Sequence, residues 1–302
     1  MKIHNKPINN VQFSIVIITR NRVNILKKTL ESVKKIDYSI DDFEIIIVDN
    51  GSTDNTRKST HDVLENSNLQ YQIVSEKTKG ICKARNRGLQ VANGEWVLFF
   101  DDDVFVNKNI LTVYQNAQLK FPNAVAFGGP ANLDPVIPRP WWWISEFDKT
   151  MSCQNYGDNY MEYGNGTNPY GLNMLFSKDI LFQFNGFDEK LDKLTNSFAD
   201  ETELFFRIKQ GGYSIVYVPA ALVIHSIVPD RLEWRNFITR FLLVGRSHAC
   251  LDYMHNTNHS RSLFRRMVSA SYLFIKHPTP ALFFTEYYSW IGYRNFKYEK
   301  NK

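Results

Sequence analysis

Trp96-Val97-Leu98-Phe99-Phe100-Asp101-Asp102-Asp103 decides the fold. The five apolar residues read as a buried strand, and three carboxylates follow without a break. Side by side, three carboxylates repel one another unless something positive neutralises them. A divalent cation is the usual solution: Mg²⁺ and Mn²⁺ prefer oxygen ligands, and Mg²⁺ is commonly held by one or two carboxylates plus substrate phosphates. In open α/β sheets, ligands bind just beyond the carboxyl ends of strands. Taken alone, the run is either a metal–phosphate site at a sheet edge or a solvated acidic turn.

Reading outward from this run gives a repeated alternation. Phe13–Ile18 is an apolar strand that ends in the polar turn Thr19-Arg20-Asn21-Arg22. Residues 23–35 place Val23, Leu26, Leu30 and Val33 at helical spacing. Phe43–Val48 is a second strand. It ends in the turn Asp49–Asp54, where Ser52 or Asp54 can cap a helix running to about residue 66. Tyr71–Val74 is a third strand, and residues 80–92 form a helix that Asn93-Gly94 ends. Strand, helix, strand, helix, strand, helix, strand predicts a parallel, doubly wound sheet. The strands are continuous apolar runs, as expected where helices cover both faces. After residue 128 the chain is rich in Gly, Pro, Asn and Trp up to about 171 and reads as loops with short strands. Leu172–Phe176 and Ser214–Val218 read as strands, as does the short run from Ala221 to Ile224, which ends at His225. Helices are predicted from Lys178, over 200–210 (ended by Gly211-Gly212), over 232–255 and over 261–276. No repeat or low-complexity linker interrupts the chain.

Three segments in order, SIVIITRNR, EIIIVDNGSTDNT and GICKARNRGLQVANGEWVLFFDDD, together resemble glycosyltransferase family 2, which has the nucleotide-sugar-binding GT-A fold. GLNMLFSKDILFQFNGFDEKL, DETELFFRI and VPAALVIH agree in order, so the resemblance spans about residues 13–226. It implies an α/β, Rossmann-like GT-A domain over 1–230, with a mostly parallel sheet and helices on both faces. The nucleotide-sugar half would be about 13–105 and the acceptor half about 106–230. A helical C-terminal extension, basic and aromatic, would occupy 231–302. It also implies an inverting, metal-dependent glycosyltransferase that moves a sugar from a nucleotide diphosphate, typically UDP, to a glycan or lipid-linked acceptor. By position, Thr19 and Arg20 would contact the nucleotide mainly through backbone, and Asp49 would hydrogen-bond the base. Arg85 would help hold the nucleotide or diphosphate. Asp101 would face the ribose or sugar, with Asp102 beside it in the least defined role. Asp103 would coordinate the Mg²⁺ or Mn²⁺ that bridges the phosphates, and His225 falls at a position that is often a further ligand. Glu201 falls where the family has the catalytic aspartate of a Glu-Asp pair. Here the order is reversed, Asp200-Glu201, which leaves Asp200 as a competing base.

Each assignment has a structural alternative. Asp49 can cap the following helix, His225 can be a core histidine, and Arg85 can belong to a solvated basic face with Lys83 and Arg87. Trp141-Trp142-Trp143 follows Pro138-Arg139-Pro140. It reads either as a sugar-stacking wall, since indoles are large and rigid with one donor, or as a loop anchored on the core by two of the three. Asn173 lies on the acceptor-side strand, where it could contact the sugar. Two other functions compete. A sugar-nucleotidyltransferase would carry a glycine-rich first turn, which Thr19–Arg22 lacks. A non-catalytic carbohydrate-binding relative would have lost one of the metal, base or nucleotide positions, and all are occupied.

Composition supports this reading. With 302 residues, 43% hydrophobic and 22% charged, the chain is of ordinary globular type. Its three cysteines have neither disulfide nor zinc spacing, which favours a reducing, cytoplasmic setting. The N-terminus lacks an apolar leader region. Charge is uneven: residues 231–302 carry 12 Lys/Arg against four Asp/Glu, a balance of +8, and the first 230 residues sum to −3. A basic tail suggests an anionic partner. No nucleic-acid motif is present. The aromatic run Leu282–Ile291, flanked by Lys276, Arg294 and Lys297, reads either as a peripheral contact with the inner face of a membrane or as packing against the catalytic body.

Overall fold

The computed structural model describes residues 11–164, 166–194, 199–257 and 281–300. The helix predicted over 261–276 lies outside the described residues.

The first half follows the predicted alternation: β1 (Phe13–Thr19), α1 (Val23–Val33), β2 (Phe43–Asp49), α2 (Thr56–Leu64), β3 (Gln70–Ser75), α3 (Ile81–Val91) and β4 (Trp96–Asp101). The chain continues through β5 (Val104–Val106), α4 (Ile110–Lys120), β6 (Ala124–Gly128), β7 (Ala131–Leu133) and β8 (Met161–Glu162). It then runs through β9 (Asn173–Ser177), α5 (Lys178–Gln183), α6 (Lys190–Leu194), α7 (Asp200–Gln210), β10 (Ser214–Tyr217) and β11 (Val223–His225). Two helices, α8 (Trp234–His255) and α9 (Ala281–Lys300), complete it.

The main sheet has eight strands in the order β3-β2-β1-β4-β9-β6-β10-β8. The pairs among β3, β2, β1 and β4 are parallel. β9 runs antiparallel to both β4 and β6, so the sheet is mixed at its centre. Apolar strand runs cover two faces because successive side chains alternate. Phe13, Ile15, Ile17, Leu98 and Phe100 face α1, α2 and α4. Val16, Ile46, Val48, Val97 and Phe99 face α3, α5 and α7. The second of these cores also contains Ala249 and Cys250 of α8 and Tyr293 and Phe296 of α9, so the C-terminal helices pack on the body of the fold. Cys82, Cys153 and Cys250 are free thiols, and all are buried.

The two edges of the parallel strands differ in purpose. At the amino edge, the buried Glu44 carboxylate accepts hydrogen bonds from Ser14 Oγ (2.6 Å), Asn93 N (2.6 Å) and Gln72 Nε2 (3.3 Å), pinning the turn between α3 and β4. At the carboxyl edge, Asp54 rather than Ser52 meets the start of α2, accepting from Thr56 N at 3.0 Å. Ser52 instead accepts from Asn21 N at 3.0 Å and ties the first two turns together.

A three-stranded sheet, β5-β11-β7, lies beyond β4. β8 and the loops around it carry the 3₁₀ turn Ser145–Met151, and a second 3₁₀ turn, Pro229–Leu232, leads into α8. α8 and α9 run side by side in the same direction, with Trp234 against Phe284 near their starts and Tyr253 against Phe296 near their ends. Gly245 and Gly292 allow this: a β-carbon at either would collide with the backbone of Ser289 or Leu242 on the other helix. Among the described residues, no helix is long and apolar enough to cross a membrane.

Candidate functional site

The small sheet brings the acidic run to a histidine. β11 pairs antiparallel with β5, with His225 opposite Val104, and Ser226 N donates to Asp103 O at 2.7 Å. His225 Nε2 thereby comes to lie 3.2 Å from Asp103 Oδ1. Both atoms are buried, and neither has an aligned hydrogen-bond partner. The other ring nitrogen of His225, Nδ1, lies 2.8 Å from the Met151 carbonyl oxygen. An Nδ1–H donating to that oxygen leaves a lone pair on Nε2, the arrangement by which a second shell orients a metal-ligating histidine. Two lone-pair atoms 3.2 Å apart match neighbouring ligands on an octahedral ion, which at Mg²⁺–oxygen lengths of about 2.1 Å are roughly 3 Å apart. The donor set therefore fits a divalent cation. Among the described residues no third carboxylate, thiolate or imidazole joins the pair within metal-binding reach, so water and substrate oxygens would complete the shell.

Arg22, from the first turn, neutralises the rest of the acidic run. Its guanidinium reaches Asp102 Oδ1 at 2.8 Å and Asp103 Oδ2 at 2.7 Å. Arg231, on the second 3₁₀ turn, lies 3.5 Å from the same Asp103 oxygen. Asp102 is built into the fold: Thr19 Oγ1 donates to its side chain at 2.7 Å and Thr29 Oγ1 to its carbonyl at 2.8 Å. Burial dominates there, and its carboxyl is pushed up to about 7 despite Arg22.

Asp101 ends β4 with a partly exposed side chain, 3.7 Å from Arg85 Nη2. Arg85 itself is buried. It pairs tightly with Asp200 through Nη1, stacks over the Phe187 ring at 5.2 Å, and reaches the Gly171 carbonyl. It thus ties the end of β4 to the start of α7. Asp200 is buried in this pair. Glu201, next along α7, is half-buried and makes no hydrogen bond or ion pair among the described residues. Tyr170 and the Arg240 guanidinium lie within electrostatic reach of it. Burial, reinforced by Arg231, pushes the Arg240 guanidinium down to about 10, so it stays charged at neutral pH. Arg240 donates to the Thr150 carbonyl and to Ser152 Oγ, which fixes it beside the loop.

Asp49 sits at the end of β2, opposite Thr19, and accepts from Ser52 N at 2.9 Å. Arg20 is exposed at the mouth of the first turn. Asn173 is buried between α4 and the β11 approach, accepting from Tyr114 Oη at 2.6 Å and donating to the Ala221 carbonyl at 2.7 Å. Its side chain is spent on the interior, not offered to a ligand. The tryptophan triplet divides. Trp142 is 9% exposed and packs on Trp234 and Phe237, Trp143 donates to Asp148 Oδ1 at 2.8 Å, and Trp141 is 88% exposed. Two indoles therefore anchor the loop, and only Trp141 is free to stack on a ligand. A depression of about 530 Å³ lined by Asn93, Gly94, Trp96 and Lys178 lies at the opposite end of β4, away from these groups.

Arg22, Arg231, Arg240 and Tyr170 were not assigned from the sequence. Arg22 stands in the turn that was read as nucleotide-binding, so its basic charge facing an acidic run was the available signal. The other three come from irregular segments or from one position of a long helix, where no periodicity marks them.

A family model described as Glycosyl transferase family 2 matches residues 14–183. Glucosyl-dolichyl phosphate glucuronosyltransferase of Haloferax volcanii is 25% identical over 254 residues, which is 81% of this chain and 79% of that protein. Poly(ribitol-phosphate) β-N-acetylglucosaminyltransferase TarS of Staphylococcus aureus is 34% identical over 101 residues, but that stretch is 33% of this chain and 18% of TarS. TarS 1–349 in complex with UDP shares the fold at a TM-score of 0.59 and 16% identity, covering 97% of this chain and 92% of that one. The mannosyltransferase PcManGT from Pyrobaculum calidifontis, solved with GDP-Man and Mn²⁺, shares it at a TM-score of 0.62 and 15% identity, covering 97% and 88%.

Proposed function

The chain belongs to glycosyl transferase family 2 and is a glycosyltransferase, and from that premise we propose that it moves a sugar from a UDP-sugar to a glycan or lipid-linked acceptor hydroxyl, with inversion and with a divalent cation bound. Membership sets aside the nucleotidyltransferase and non-catalytic readings. The observation that carries the proposal is the buried, partnerless pair Asp103 Oδ1 and His225 Nε2 at the carboxyl edge of the sheet.

Asp103 and His225 would hold the cation, which when bound supplies positive charge to the departing diphosphate. Mn²⁺ suits a mixed oxygen–nitrogen pair better than Mg²⁺, which demands oxygen. PcManGT was solved with Mn²⁺ and a nucleotide sugar, which supports this choice. Arg22 and Arg231 place two further cations at the same edge, where they stabilise the charge that develops on leaving. Asp49 and the Thr19-Arg20 backbone would seat the base and ribose. UDP is favoured by the Asp49 position and by the UDP complex of TarS.

In the reaction, the acceptor oxygen attacks C1 as the C1–O bond to phosphate breaks, and the diphosphate leaves with the bonding electrons. The acceptor proton passes to Glu201, whose carboxylate has no hydrogen-bond or ion-pair partner among the described residues. Asp200 is a poorer base because the buried Arg85 guanidinium holds its charge. Its role is to fix the start of α7 relative to β4. A lipid-linked acceptor is supported by the likeness to a glucosyl-dolichyl phosphate glucuronosyltransferase.

Incubation with UDP- and GDP-sugars and Mn²⁺, followed by NMR of the transferred sugar, tests the proposal. Diphosphate release with an inverted anomer is expected; a retained anomer contradicts single displacement.

A further inference from the structure

We propose that the chain docks on an anionic lipid bilayer through one aromatic and basic face formed by the start of α8 and the exposed side of α9. A third apolar cluster, separate from the two cores of the main sheet, joins Trp142 and Phe147 of the 134–151 loops to Leu232, Phe237 and Phe241 and to Ala281. Its outer surface is not polar. Trp234, Phe284, Tyr287 and Trp290 are all exposed there, and Trp234 touches both Trp142 and Phe284. Exposed Trp141 is next in sequence to Trp142.

On α9 the three aromatics recur every third residue, which sets them along one face. Arg294, one turn on, stacks on Trp290 at 5.3 Å, and Lys297 follows it, exposed. Arg235 is exposed beside Trp234. Rings with an apolar body and a polar tip, followed by a turn of cations, match the boundary between lipid tails and phosphates.

Charge selects the occupant. Beside these rings the exposed cations are Arg235, Arg294 and Lys297, against exposed Glu233. A second copy would set this excess against itself, whereas anionic headgroups complement it. Arg240 stands about 9 Å further along α8 from Trp234 and lies within electrostatic reach of Glu201. The face would therefore put a lipid-anchored acceptor near the base, a consequence that rests on the glycosyl-transfer reading, while the docking itself does not.

The test is co-sedimentation of the full chain with phosphatidylcholine vesicles, with and without phosphatidylglycerol, at low and high salt. Binding to the anionic vesicles at low salt is expected, weakened by salt. The triple variant Phe284→Ser/Tyr287→Ser/Trp290→Ser should lose at least about tenfold in vesicle affinity. Tyr253→Ser, an exposed aromatic at the far end of α8, should lose nothing. The thermal shift of the triple variant by UDP with Mn²⁺ should match wild type, separating loss of docking from loss of fold or of nucleotide binding. Absence of anionic-vesicle binding by wild type, or equal binding by the triple variant, would overturn the proposal. Self-association abolished by the triple substitution, without vesicle binding, would overturn it in favour of a second copy.

Discussion

Asp103 Oδ1 and His225 Nε2 lie 3.2 Å apart inside the protein, and neither has an aligned hydrogen-bond partner. Buried polar atoms are nearly always satisfied, so two orphans facing one another point to a missing shared partner. Removing either should remove tight Mn²⁺ binding. In an EPR titration, Asp103→Asn and His225→Ala should each lose the high-affinity Mn²⁺ signal, and kcat/KM should fall about 10²- to 10³-fold. Wild-type Mn²⁺ affinity in both variants would dismiss the pair as a metal site.

Asp200 and Glu201 should separate by the kind of loss they cause. Glu201→Gln removes the base and should lower kcat about 10²- to 10⁴-fold while UDP affinity and melting temperature stay near wild type. Asp200→Asn leaves the buried Arg85 with only the longer ionic contact to Asp101. Breaking a buried pair costs about 3–5 kcal/mol, so this variant should melt lower as well as react more slowly. If Asp200→Asn is inactive but fully stable and Glu201→Gln is active, the assignment is reversed.

Arg22 reaches two carboxylates through two nitrogens of one rigid planar fork, a geometry that the compact ammonium of a lysine does not reproduce. Arg22→Ala should destabilise strongly, and Arg22→Lys should recover only part. The pH dependence follows from Asp102, whose carboxyl is raised to about 7. The folded state holds that proton more tightly than the unfolded chain, so this contribution is present at acid pH and lost as pH rises from the usual carboxylate value toward 7. Removing Arg22 raises the group further. The deficit of Arg22→Ala should thus be larger at about pH 8 than at about pH 6. Melting curves at the two values check it, and an equal deficit would contradict it.

Glu44 offers a control at the opposite edge of the sheet. Glu44→Ala removes the acceptor of the buried Ser14 hydroxyl and of Asn93 N, while Gln72 keeps the Val91 carbonyl, and a buried donor left unpaired costs about 1–3 kcal/mol. Calorimetry should show a large fall in melting temperature. Nucleotide affinity below the transition should be unchanged, since the carboxyl-edge groups are untouched. Lost nucleotide affinity in a folded Glu44→Ala would mean that the two edges are coupled.

The first half of the fold was legible because Phe13–Thr19, Phe43–Asp49 and Trp96–Asp101 are apolar on both faces, and that pattern has one common cause, a sheet covered by helices. The direction of β9 was not, because Asn173–Ser177 alternates identically whether it runs parallel or antiparallel. Asp103 and His225 are expected as ligands from the resemblance alone. The reason they meet, the β5–β11 pairing, rests on strands of three residues each, too short to carry a pattern. Asn173 and Trp142 show the opposite difficulty: a polar residue on a strand and an indole in a loop look available in sequence, and only packing shows that they are consumed. The reach of Arg22 to Asp102 and Asp103 spans turns far apart in the chain, which no local reading supplies.

The most direct measurement is the melting temperature with UDP- and GDP-sugars in Mn²⁺ or in EDTA, for wild type and for Asp103→Asn. A ligand at about 100 times its Kd stabilises by about 2.7 kcal/mol. The account predicts a UDP-dependent rise for wild type in Mn²⁺ that EDTA abolishes and Asp103→Asn lacks. No rise with any nucleotide sugar in Mn²⁺, or an equal rise in EDTA, would contradict a metal-dependent nucleotide site at Asp103 and His225.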